Sequence, residues 1–228
     1  MYKRQDFGLQ YTYKLNKKNT INIGAVYTLG RTLHGDAYKY HQTGAESNGS
    51  IYVQSQTGDT IPNPFKMPHT FGIGLTYVYD NRLTIGVDYT LQKWNTADLA
   101  WSKFNKESVE MNSRTKIAFG AEFVPSYISH NYLKRIRYRM GAYCSSPYNK
   151  VSYTSPDTGT TSFQDGAREY GVSIGFGLPM FQSKSMLNIS GQYIKVSPKF
   201  KGLMEENYLR INIGLTFNER WFMKWKVD

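Results

Sequence analysis

Residues 70–94, TFGIGLTYVYDNRLTIGVDYTLQKW, alternate large apolar side chains with small or polar ones on both sides of an Asp-Asn pair. Phe71, Ile73, Leu75, Tyr77 and Tyr79 share one face, and Gly72, Gly74 and Thr76 share the other, interrupted only by Val78. Leu83, Ile85, Val87, Tyr89 and Leu91 then oppose Thr84, Gly86, Asp88, Thr90 and Gln92. Successive side chains of a strand point to opposite faces, so this period of two predicts two strands and a hairpin turned at Asp80-Asn81. One face is greasy and the other small and polar, and the solvent each meets decides the fold class.

The same alternation recurs along the chain. Phe7 to Leu15 alternate with Asp6 to Lys14, then turn at Asn16-Lys17-Lys18-Asn19, and Ile21 to Leu29 continue. Ile117, Phe119, Ala121 and Phe123 form another run, as do Ile136 to Cys144, Tyr170 to Leu178, Leu187 to Tyr193, and Leu209 to Phe217. That makes about nine strands, each near the ~9–11 residues that cross a bilayer as a tilted strand. The links between them alternate shorter with longer, as in outer-membrane barrels with short periplasmic turns and long extracellular loops.

The expected fold is therefore all-β: a transmembrane antiparallel β-barrel wall over residues 1–217, followed by a periplasmic aromatic and basic tail at 218–228. The expected location is the bacterial outer membrane. The alternative is a soluble lipocalin-like or sandwich protein, which would bury the greasy face and expose longer charged residues than the Gly, Thr, Ser and Asn present here. An odd number of strands cannot close a typical bacterial barrel, which has an even number. The chain is accordingly expected to be the C-terminal part of a larger barrel, or to close with another chain.

Composition supports strands. The 228 residues include 19 Tyr, 12 Phe and 20 Gly, while mean hydropathy is negative. No run approaches the ~20 apolar residues of a membrane helix. No apolar leader follows Met1-Tyr2-Lys3-Arg4, so the expectation is either a cytoplasmic protein or one whose leader lies outside this sequence. One cysteine, Cys144, excludes an internal disulfide and falls on a greasy face as a small apolar filler. The net charge of +11 raises nucleic-acid binding, with Lys134-Arg135-Ile136-Arg137-Tyr138-Arg139 as a basic patch. No helix-turn-helix, zinc-ligand spacing or RNP-like motif accompanies it, so no nucleic-acid partner is expected. Positive charge also suits anionic lipid headgroups.

The run KMPHTFGIGLTYVYDNRLTIGVDYTLQKW resembles the FadL/OmpP1/TodX outer-membrane transport family, with Pro68 before a Gly-rich strand, a hairpin, and Trp94 at the end. RTKIAFGAEFVP, RIRYRMGAYCSSPY and REYGVSIGFGLP resemble its following hairpins, and the ending NERWFMKWKVD is similar to Bacteroidetes-type members. The resemblance covers roughly residues 65–217. It implies a barrel of about 14 strands with an N-terminal hatch, of which this chain would be the C-terminal portion. It also implies passive uptake of hydrophobic compounds such as long-chain fatty acids. In some Bacteroidetes assembly and secretion machines, proteins similar to this family are accessory subunits, which gives the alternative function. The partners expected are outer-membrane lipid and lipopolysaccharide, hydrophobic small molecules, and other outer-membrane or periplasmic subunits.

The charged candidates on the polar face are Asp88, Lys116, Glu122, Arg135, Arg137, Arg139, Glu169 and Arg210. Arg135, Arg137 and Arg139 alternate, and so are expected to form a ladder on one strand. Such a ladder either guides a carboxylate or phosphate headgroup by two-pronged hydrogen bonds or braces the wall by pairing with Glu122, Glu169 and Asp88. Pairing is the stronger expectation, because charges in a narrow, partly dry space need partners. Trp221, Phe222 and Trp225, interleaved with Arg220, Lys224 and Lys226, suit an interfacial belt or a partner-docking tail. His34, His41, His69 and His130 lack metal-ligand spacing, and no nucleophile or phosphate-loop motif is present. Neither enzyme activity, metal nor cofactor is expected. Asn48 and Asn188 open Asn-x-Ser matches, with Asn188 inside the wall.

Overall fold

The computed structural model describes residues 5–47, 50–63, 65–96, 111–154, 161–180, 185–198 and 204–217. It holds fifteen strands: β1 (Asp6–Lys14), β2 (Asn19–Thr28), β3 (Arg31–Leu33), β4 (Asp36–Ser47), β5 (Ser50–Pro62), β6 (Phe65–Met67), β7 (Thr70–Tyr79), β8 (Leu83–Gln92), β9 (Arg114–Phe123), β10 (Arg137–Ser145), β11 (Lys150–Thr154), β12 (Thr161–Asp165), β13 (Arg168–Pro179), β14 (Met186–Ser197) and β15 (Glu206–Thr216). Nine of them form one antiparallel sheet in the order β1-β2-β7-β8-β9-β10-β13-β14-β15. Three two-stranded ribbons, β3-β6, β4-β5 and β11-β12, fill links between sheet strands.

The alternation of the sequence becomes two continuous faces. Tyr11, Ile23, Leu75, Val87, Phe119, Ala142, Val172, Tyr193 and Leu209 pair in turn across all nine strands. One residue along each strand, Thr12, Asn22, Thr76, Gly86, Gly120, Gly141, Ser173, Gln192 and Arg210 make the matching row of the opposite face. Register is specified because a slip by one residue would exchange the faces.

Among the described residues nothing packs against the apolar face. Leu9 is 75% exposed, Ile174 63% and Ile211 68%. Among the described residues only Val124, Ile136 and Ile194 are buried hydrophobics. A soluble chain of this size buries roughly 70% of its unfolded surface around a core, and exposed apolar patches of monomers rarely exceed a few hundred Å². This sheet has instead an apolar surface running its full width.

The short links tighten one end of the sheet. Asp80 and Asn81 both adopt positive φ, 50° and 53°, the conformation of the central residues of a primed turn whose twist matches the strands, within a link of three residues between Tyr79 and Leu83. The Arg82 amide donates to the Tyr79 carbonyl at 2.9 Å. At the β1–β2 turn the Asn16 side chain accepts from the Lys18 and Asn19 amides at 2.9 and 2.8 Å, the Asx mimicry of a backbone turn. The β9–β10 link folds back on this end, with the Val124 amide donating to the Arg82 carbonyl at 2.7 Å.

The expected architecture is present in part. Among the described residues the sheet is open, with β1 and β15 each neighboured on one side; the all-β antiparallel architecture stands, and the nine strands do not close into a barrel, in keeping with their odd number. The long link after β2 carries its own hairpin, β4-β5, with a register shift at Thr43/Gly44. In the sequence, residues 36–44 carry no aliphatic run to mark it. The expected aromatic tail at 218–228, including Trp221, Phe222 and Trp225, and the Asn48 match lie outside the described residues.

Candidate functional site

The ion pairs of the polar face join β9, β10 and β13. On β9, Arg114, Lys116 and Glu122 share that face, because even-numbered residues point there. The Glu122 carboxylate receives Arg139 Nε at 2.7 Å and Arg137 Nη1 at 3.2 Å. Arg139 also donates from Nη1 to Asn188 Oδ1 at 2.8 Å, and Asn188 Nδ2 reaches Thr216 Oγ1 at 3.4 Å. One carboxylate thus ties β9 to β10, and Arg139 carries the chain of bonds over β13 to β14 and β15. All three charged groups are half-buried. Their pairing follows the rule that a partly desolvated charge needs a partner.

A second cluster sits nearer the long-link end. Glu169 accepts from the Tyr143 hydroxyl and lies 3.5 Å from Arg114 Nη2. Arg114 Nε donates to the buried Ser145 hydroxyl at 2.8 Å. Lys116 Nζ stands 4.4 Å from the Tyr143 ring centroid, within cation–π range. The ring lies across Gly171 on β13, where any Cβ would collide with it. A glycine there is needed for the ring to lie flat on the sheet.

The remaining candidates are placed differently. Arg135 is not on a strand: it closes a 3-10 turn, Tyr132–Arg135, and its guanidinium lies 5.6 Å from the Tyr132 ring. The expected three-arginine ladder is therefore two rungs, Arg137 and Arg139, because Ile136 takes an extended conformation as the turn ends and pairing begins only at Arg137. Asp88 is exposed on β8, its carboxylate over Gly74. Arg210 is exposed on the edge strand β15, opposite Gln192. Neither makes an ion pair among the described residues.

Around Asp88 the face is bare. Gly8, Gln10, Asn22, Gly24, Gly74 and Thr76 line a shallow trough there with it, of about 440 Å³. The polar face thus has a trough of small residues across β1, β2, β7 and β8 and ion-paired clusters from β9 to β13. Arg114, Tyr143 and Ser145 were not singled out in the sequence, and Asn188 was noted only as an Asn-x-Ser match. Extending the β9 alternation backward from Lys116 would have found Arg114. The others become visible only through cross-strand register.

A family model described as BamG matches residues 3–228. No curated protein and no solved structure matches the chain. The BamG match overturns the resemblance to the FadL/OmpP1/TodX family and, with it, passive uptake of hydrophobic compounds as the function. The residues that carried the resemblance are wall features. Alternating strands, glycines on the small face, a turn at Asp80-Asn81 and Trp94 past a strand end suit any antiparallel membrane wall, so they did not discriminate a transporter from another protein with such a wall.

Proposed function

The chain belongs to the BamG family, and from that membership we propose that it is a membrane-embedded accessory subunit of the outer-membrane protein assembly machinery. The family is one associated with the Bam complex. The observation that carries the membrane part is the unpartnered apolar face, continuous through Tyr11, Leu75, Phe119, Val172 and Leu209. Hydrocarbon is the environment in which such a face costs nothing, and the opposite face then lines a polar interior.

The edges support the subunit part. In hydrocarbon an open strand edge leaves backbone N–H and C=O groups without partners, at several kcal/mol each. β1 and β15 are therefore the places where further strands, or a partner's wall, join this sheet. The ion pairs at Glu122 and Glu169 brace the wall between those edges. In this reading the ion-paired clusters of the polar face serve stability, not passage of cargo.

The test is co-isolation. Tagged protein extracted in mild detergent is expected to purify at fixed stoichiometry with the assembly machinery and to be absent from the soluble fraction. Recovery as a monodisperse monomer from plain buffer overturns membrane embedding. Recovery from membranes with no assembly component bound overturns the accessory role.

A further inference from the structure

At the long-link end, the apolar face bears a set of stacked rings. Tyr27 lies 6.4 Å from Phe7, 4.8 Å from Phe71 and 5.9 Å from His69, centroid to centroid. The His69 ring is fixed. Its Nδ1 accepts from the Gly30 amide at 3.2 Å and pairs with the Tyr27 hydroxyl at 2.7 Å. A backbone amide can only donate, so Nδ1 carries the lone pair and Nε2 carries the proton. The same histidine's carbonyl accepts from the Lys93 amide at 2.9 Å, joining the start of β7 to the end of β8.

Beside this junction is a cleft of about 340 Å³ lined by Lys66, Met67, Pro68, His69, Phe71 and Lys93. Lys93 Nζ stands 5.4 Å from the Phe71 centroid. Met67 and Phe71 are 52% and 41% exposed, and none of the described lining residues is acidic. The cleft is thus amphipathic: two lysines and an imidazole, set against a thioether and a phenyl ring. Phe71 continues directly into Ile73 and Leu75 on the apolar face. Lysine stems run along apolar surface and bring their charges to the level of headgroups.

We infer that this cleft binds the phosphorylated headgroup of a lipid in the leaflet on the long-link side, with the acyl chains lying along Phe71 and Ile73. The inference rests on the reading that the apolar face meets the bilayer. The charges suit a phosphate, which accepts from several donors at once, and the apolar wall explains why a lipid would be held more tightly than the free anion. The position at one end of the strands, where chains give way to headgroups, fits the same ligand.

The protein with its co-purifying partners, in detergent, should be titrated with diphosphorylated lipid A, with the same lipid stripped of its phosphates, and with inorganic phosphate. Native mass spectrometry reads the bound lipid. The phosphorylated lipid is expected to be retained roughly tenfold better than the stripped one, with inorganic phosphate a weak competitor. The double variant Lys66→Gln and Lys93→Gln is expected to erase that preference while remaining in the membrane fraction. Equal retention of the two lipids by the unaltered protein, or full competition by inorganic phosphate, overturns the inference. That first comparison needs no variant, so a folding failure of the double substitution leaves it decisive. Failure of the unaltered protein to enter membranes would instead sink the membrane reading itself.

Discussion

Glu122 on β9 holds both Arg137 and Arg139 of β10, at 3.2 and 2.7 Å, so a single carboxylate spans two rungs of the neighbouring strand. The arginine side chains are a third or more exposed, so solvent screens much of the attraction. Glu122→Gln is expected to cost about 1 kcal/mol, lowering the melting temperature by about 3 °C. Arg137→Glu should cost more than Glu122→Gln, because it sets two carboxylates against each other. Thermal melting in detergent checks the order of the two variants.

The Tyr143 ring occupies the space above Gly171. Gly171→Ala should force the ring aside and break its contacts with Glu169 and Lys116, for about 1–3 kcal/mol. Gly8→Ala is the control, because a Cβ there meets nothing within 4 Å. It should fall within about 0.5 kcal/mol of the parent. Equal melting temperatures for the two variants would contradict the packing described.

The turn at Asp80-Asn81 makes a local prediction. Asn81→Val places a β-branched side chain at a φ of 53° and should destabilise by about 1–3 kcal/mol. Asn81→Gly should be neutral or mildly stabilising, since glycine adopts that region freely. Refolding yield into detergent, followed by heat-dependent mobility on a gel, separates the two.

The two faces can be told apart by one charge. Ile73 is 57% exposed near the middle of the apolar face, and Thr76 is on the opposite face. If hydrocarbon covers the first, Ile73→Arg should cost about 2–4 kcal/mol on insertion, and Thr76→Arg far less. Membrane-fraction recovery of both variants checks this. A larger loss for Thr76→Arg would assign the faces the other way.

Much of the sheet was readable because each strand is half greasy. The runs at Phe71–Tyr79 and Leu83–Leu91 match β7 and β8 closely, and the Asp-Asn signal sits where both residues take positive φ. The hairpin β4-β5 was hidden for the opposite reason. DAYKYHQTGAES carries no aliphatic run, so periodicity had nothing to detect. Arg135 shared the spacing of Arg137 and Arg139, yet it belongs to a turn, because spacing does not mark where pairing begins. The His69 junction depends on Gly30, Tyr27 and Lys93, which pairing of β2, β7 and β8 brings together. No local pattern contains it. The polar-face clusters were half legible: the acids and bases were evident, but which met which depended on register.

The two rims of the sheet have a handedness in time as well as space: with nine strands reversing at every step, the first and the last are traversed in the same sense. A sister molecule related by a two-fold axis along the strands would present its rim running alongside, not counter to, its mate, giving two parallel seams where β-barrel walls use antiparallel ones. Whatever bridges these rims in the usual antiparallel manner must therefore contribute an odd set of strands, which favours an unlike companion segment over self-association.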